Sequence, residues 1–226
     1  QWNSTFCRKI NMNIKVVLAD DHAIVRHGLS RAFQQEKGLE VVGQAQDGLS
    51  LVKLVEELSP DVVVMDISMP DLNGIEATRR ITAAHPKIKV IGLSMHSSDK
   101  YVREMFKAGA CGYLLKDCPF DELVEAIRIV VNGKKYISPS IGDTIIKDYL
   151  TKPDQESAFS ILSAREREVL QLLVEGHTTK QVGQRLGISP KTVEVHRTNI
   201  MEKLKMDNIA QLTKYAIQEG LTAPEP

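Results

Sequence analysis

A chain of 226 residues is longer than one typical compact domain and comfortable for two, each able to bury its own core. Apolar residues at 42% and charged residues at 26% suit an ordinary globular protein, and no apolar run approaches the roughly eighteen residues that span a bilayer, so no membrane partner is expected. Formal net charge is zero, so any positive potential that recruits a polyanion must be local. Three cysteines, Cys7, Cys111 and Cys118, form neither a paired CxxC spacing nor an even set, which points to reduced thiols in the cytoplasm rather than a disulfide framework or zinc site.

Residues 1–11 carry no apolar stretch of signal-peptide length and precede Met12; they read as an extension or tag. From Lys15 the chain alternates short β-branched runs with helix-period segments: strands Lys15–Ala19, Glu40–Ala45, Val62–Met65, Val90–Leu93 and Gly112–Leu115, helices near Ile24–Gln35, Ser50–Leu58, Ile75–Ala84, Asp99–Ala108 and Phe120–Val131. Near-continuous apolar strands such as Val62–Met65 require cover on both faces, so the expected fold is α/β, a five-stranded doubly wound parallel sheet over residues 12–133. Residues 134–159, with Pro139, Gly142 and Pro153 around the short apolar piece Thr144–Leu150, read as a linker with at most one helix.

Residues 160–226 read as an all-α domain of four helices. Ser163 with Glu166 and Thr178 with Gln181 are capping boxes, Gly176 and Gly187 are stops, and Ser189-Pro190 starts a longer helix to Leu204. A final helix, Asn208–Glu219, has Ile209, Leu212, Thr213, Ala216 and Ile217 on one side.

Ligands of a doubly wound sheet bind outside the carboxyl ends of its strands, where the strand order reverses. Those ends carry Asp20-Asp21, Asp66, Ser94 and Lys116. Crowded carboxylates repel unless a cation joins them, and hard oxygen donors suit Mg²⁺. With a divalent ion present, Lys116 can share the oxygens of a phosphoryl donor while Asp66, the central carboxylate, attacks in line. Asp71, Asp99 and Asp117 are expected to be loop or cap residues only.

Thr178–Lys205 has a helix-turn-helix layout, with the turn at Leu186-Gly187-Ile188-Ser189, and holds six basic residues against two acidic ones. Helical periodicity turns Val193, Ile200 and Leu204 inward and Lys191, Glu194, Val195 and Thr198 outward, with Thr192 beside them. Lys191 can donate to guanine and Glu194 can accept from cytosine N4. Thr178, Thr179, Lys180, Arg197 and Lys203 flank them and could reach phosphates. His196 falls beside the core and is expected to pack. Gly183, inside the positioning helix, is expected to cost about 1 kcal/mol of helix stability.

Both halves resemble known families. Asp20-Asp21, Asp66-Ile-Ser-Met-Pro-Asp-Leu-Asn-Gly74, Ser94 and Gly112-Tyr113-Leu-Leu-Lys116 resemble the receiver domains of two-component signalling. The stretches Leu-Ser-Ala-Arg-Glu-Arg-Glu-Val-Leu, Ile-Ser-Pro-Lys-Thr-Val-Glu-Val-His and Lys-Leu resemble LuxR-type DNA-binding domains. Asp117 departs from the Pro common in receivers, and Gly183 from the usual Ala. The resemblance implies a NarL/FixJ-type response regulator rather than a conventional enzyme. Asp21, Asp66 and the Ser68 carbonyl would hold Mg²⁺, with Asp20 supporting through water. Asp66 would take the phosphoryl group from a histidine kinase, Ser94 and Lys116 would bind its oxygens, and Tyr113 would act as the aromatic switch. Double-stranded DNA would be bound by a homodimer, after release of the recognition helix from the receiver. A rival reading, a Mg²⁺-dependent phosphohydrolase, lacks the DxD nucleophile motif and any glycine-rich phosphate loop.

Overall fold

The computed structural model describes residues 13–95, 99–142 and 158–222, so the extension, Cys7 and the apolar piece Thr144–Leu150 lie outside the described residues. The strands are β1 (Ile14–Ala19), β2 (Leu39–Ala45), β3 (Val62–Asp66), β4 (Lys89–Ser94), β5 (Gly112–Leu115) and β6 (Tyr136–Ile137), all parallel in the order β2-β1-β3-β4-β5-β6. Helices α1 (Ala23–Gln35), α2 (Gly48–Leu58), α3 (Gly74–Ala84), α4 (Asp99–Lys107) and α5 (Phe120–Val131) cover both faces. Each face has its own core. Val63, Met65, Ile75 and Tyr113 lie in one, and Val64, Ile91, Leu114 and Ile127 in the other, which is why β3 carries no polar residue before Asp66.

The sheet has six strands, not the five expected. β6 is only two residues long, too short to show a period, and lies within the segment read as linker. It pairs Tyr136 with Gly112 and Ile137 with Tyr113, and the completely buried Ile141 follows it into the core. Residues 134–142 therefore belong to the sheet domain.

Among the described residues the C-terminal part has five helices, α6 (Ala158–Ile161), α7 (Ala164–Val174), α8 (Thr179–Leu186), α9 (Pro190–Leu204) and α10 (Ile209–Glu219); the one-turn α6 precedes the four expected. The capping boxes at Ser163 and Thr178 form as their sequences require, and Ser189 caps α9 with Pro190 in its first turn. Val169, Leu172, Val182, Val193, Ile200 and Leu212 make the core. Of the α10 residues expected on one side, Leu212 and Ala216 are buried, whereas Ile209 and Ile217 at its edges are exposed.

The two domains touch through α7. It is buried on nearly every side from Glu166 to Leu172, because its apolar face packs inward and its polar face lies on α3 and the loop before it. Arg167 Nε donates to Glu76 at 2.6 Å with both side chains buried, and Arg80 pairs with Glu168. At a second contact Lys100 of α4 meets Glu219 at 2.7 Å, and Gly220 lies where an added Cβ would strike the Tyr101 ring.

Candidate phosphorylation site and nucleic-acid interface

β1 and β3 are sequence-distant neighbours at the point where the strand order reverses, so the residues that follow them share one crevice. Asp20 and Asp66 are each 3% exposed. Lys116, brought in at the end of β5, stands 2.8 Å from Asp20 and 2.7 Å from Asp66, bridging the two carboxylates. Burial pushes the Asp66 carboxyl above its ordinary range despite Lys116. Burial would lower Lys116, but the hydrogen bonds to Asp20 and Asp66 outweigh it and hold the ammonium above its ordinary value.

The Ser68 backbone N–H donates to Asp66 Oδ1 at 3.1 Å, so both Asp66 oxygens have partners. Asp21 is more exposed and pairs with His22 at 2.8 Å. His22 was not singled out by the sequence reading, although its place directly after the acidic pair was a signal. Ligand atoms of Asp20, Asp21, His22 and Asp66 lie within 4.8 Å of one another. The three carboxylates fit a hard divalent cation; the imidazole is not a donor such an ion needs.

Ser94, 1% exposed at the end of β4, is hydrogen-bonded to Tyr113, which is completely buried. Burial pushes the Tyr113 phenol well above its ordinary value. Asp71, expected to be a plain loop residue, sits in the left-handed region at φ 64° and faces the other domain, with His177 and Arg185 each 3.3 Å away.

On α9 the inward residues are as the periodicity required. Val193 and Ile200 are fully buried, while Lys191, Thr192, Glu194, Val195 and Thr198 are exposed. Several flanking groups have internal duties. The Thr178 hydroxyl caps α8, the Thr179 hydroxyl donates to Glu194 at 2.8 Å, and Arg197 stands 3.9 Å from Glu194. Lys203 Nζ is bound by both oxygens of Glu166, at 2.9 and 2.7 Å, tying α9 to the cap of α7. Lys180 is exposed, and His196 is partly buried with its Nδ1 inside, in keeping with a packing role. Gly183 is more than a propensity cost: a Cβ there would stand 2.7 Å from the Ile188 carbonyl, so only glycine lets the turn close on α8. The outward face of α9 is exposed while the domains are docked, so it is α7, not the recognition helix, that the receiver covers.

A carboxylate crevice at a switch point, coupled in one chain to a helix able to enter a major groove, defines a regulator of DNA rather than a free-standing catalyst. Residues 16–128 match the response regulator receiver domain, and residues 160–216 match the bacterial regulatory proteins of the luxR family. The transcriptional regulatory protein DegU of Brevibacillus brevis is 39% identical over 94% of this chain and 97% of its own. The response regulator GacA of Pseudomonas aeruginosa is 38% identical over 92% and 97%. Among solved structures, two RcsB dimers bound to two parallel DNAs show a TM-score of 0.58 at 28% identity, over 90% of this chain and 97% of that one. The chain belongs to the NarL/FixJ family of response regulators, transcription factors that join a receiver domain to a LuxR-type DNA-binding domain.

Proposed function

We propose that Asp66 is the acceptor of a phosphoryl group from a partner histidine kinase, and that this modification governs DNA binding by the domain at residues 160–226 through the receiver, which runs on to residue 142, and the segment that follows it. The observation that carries the reading is the Lys116 ammonium shared by two buried carboxylates, Asp20 and Asp66. A group so placed can follow a phosphoryl oxygen arriving at Asp66 and balance its charge.

In the transfer an Asp66 oxygen attacks phosphorus in line as the donor's bond to phosphorus breaks. Lys116 and the Ser94 hydroxyl take the phosphoryl oxygens. Asp21, Asp66 and the Ser68 carbonyl would hold Mg²⁺, with Asp20 supporting through water, and the ion would supply charge neutralisation and orientation when bound. Once Ser94 turns to the phosphoryl group, its bond to Tyr113 is given up and the β4–β5 face changes.

Lys191, Thr192, Glu194, Val195 and Thr198 would read base edges in a major groove, and Lys180 with Thr178, Thr179 and Arg197 would meet phosphates. Likeness to a regulator seen as dimers on DNA supports a homodimer that sets two α9 helices about one turn of double-stranded DNA apart. A DNA target puts its work in the cytoplasm.

Treatment with acetyl phosphate and Mg²⁺ should add one phosphoryl group by mass spectrometry, raise DNA affinity in a mobility-shift assay, and do neither in Asp66→Asn. Equal labelling of Asp66→Asn would overturn the assignment.

A further inference from the structure

The seven residues between β3 and α3 serve two masters. At one end they carry Ser68, whose N–H is bonded to Asp66. At the other they are gripped by α7. Gln171 is completely buried; its Nε2 donates to the Met69 carbonyl at 3.0 Å, and its Oε1 accepts from the backbone N–H of Asn73 at 2.9 Å and from the Asn73 side chain at 3.0 Å. Glu175, one turn on, accepts from the Asp71 N–H at 3.1 Å and from the Gln171 amide at 2.9 Å.

The loop has little slack to absorb a displacement. Asn73 caps α3 through the Glu76 N–H at 3.0 Å, and the Gly74 N–H donates to the Ile67 carbonyl at 2.8 Å. Gly74 is packed so closely on the Asp66 backbone that an added Cβ would stand 2.4 Å from its carbonyl oxygen. Movement at Ser68 is therefore passed to the groups Gln171 holds.

We propose that Gln171, a residue of the DNA-binding domain, is a positioning residue of the phosphorylation site, fixing the loop from Ile67 to Asn73 in the form that resists cation and phosphoryl loading. In the docked form Ser68 N–H and Lys116 occupy both oxygens of Asp66, and Gln171 braces the backbone that keeps Ser68 there. Loading Asp66 and docking α7 thus compete for one loop. Competition of this kind is reciprocal: whatever factor loading takes from docking, undocking returns to cation binding. The inference rests on the reading of Asp66 as acceptor.

The test uses the full chain, with Gln171→Ala, and Gln171→Met, which fills similar space without either set of hydrogen bonds; Lys214→Ala, on the exposed side of α10, is the control. Mg²⁺ affinity is measured by titration calorimetry without phosphodonor, and labelling by acetyl phosphate from initial rates, after thermal unfolding has shown each variant folded. Both Gln171 variants should bind Mg²⁺ more tightly and label faster, by about fivefold or more, with Lys214→Ala unchanged. Lys100→Ala, which loosens the other interdomain contact at Glu219 without touching this loop, should move both quantities less than either Gln171 variant; an equal effect would reduce Gln171 to interdomain glue and overturn its positioning role. Wild-type affinity and rate in both variants, or slower labelling, would overturn the proposal while leaving Asp66 as acceptor. A wild-type chain that neither binds Mg²⁺ nor takes label removes the reading of Asp66 and this inference with it.

Discussion

The carboxylate crevice and the outer face of α9 solve opposite problems. In the crevice, charged groups are buried and already partnered: Lys116 bridges Asp20 and Asp66, and Ser94 is bonded to Tyr113. On α9, Lys191, Val195 and Thr198 project into solvent. A site that makes and breaks a bond to phosphorus gains from groups fixed before the substrate arrives. A surface that reads a groove must keep its donors and acceptors available. Glu194 and Lys203 lie between these extremes, exposed on α9 yet engaged with Thr179 and Glu166.

The largest loss is expected in the crevice. Lys116→Ala leaves Asp20 and Asp66 buried side by side with no ammonium, and removing one partner of a buried ion pair costs about 3–5 kcal/mol. Calorimetry should show the receiver's unfolding temperature drop, with labelling of Asp66 lost. On the reading face the same truncation should leave stability alone. Lys191→Ala and Thr198→Ala are expected to alter base preference, by about 1–3 kcal/mol where a bidentate contact is lost, with no change in unfolding; selection from randomised sites would show it. A variant with unaltered preference takes that residue off the base edges.

Lys203→Ala sharpens the contrast, because this lysine, expected at a phosphate, is spent on Glu166. Its loss should destabilise the DNA-binding domain by about 1 kcal/mol, since the lysine is itself partly exposed. Burial raises Glu166, but the Lys203 ammonium and the Ser163 N–H and hydroxyl outweigh it and hold the carboxyl below its ordinary 4.5. The stabilisation is present above that value and is lost as pH falls through the lower folded one. Lys203→Ala should diminish this acid-side loss, with the Ser163 bonds left in place, as pH-dependent melting would reveal. An unchanged profile would show that Lys203 does not hold the Glu166 carboxyl down.

Where one physical demand decided a position, the sequence alone was enough. Buried β3 needs a continuous apolar run and ends at Asp66, and α9 needs Val193 and Ile200 inward, which turns Lys191 and Thr198 out. What escaped depends on contacts between distant parts of the chain. The run Arg165–Glu168 looks like a solvated face, yet Arg167 and Glu168 are buried against Glu76 and Arg80. Asp71 has no local mark that it will meet His177 and Arg185. Gly183 looked like a penalty because propensity ignores the Ile188 carbonyl across the turn. The contact between the domains escaped for the same reason: polar residues of α7 make it, while the outward face of α9 stays exposed.

Strand β6 matters for how this protein can be divided. Its pairing with β5 covers a row of backbone groups, with the Tyr136 N–H on the Cys111 carbonyl and the Ser138 N–H on the Tyr113 carbonyl. A receiver cut at Gly133, where the last helical signal ends, would bare that row on β5 from Cys111 to Tyr113. Exposed strand edges recruit other chains. Such a fragment should self-associate through an intermolecular sheet, whereas one carried through Gly142 keeps the edge sealed with its own chain.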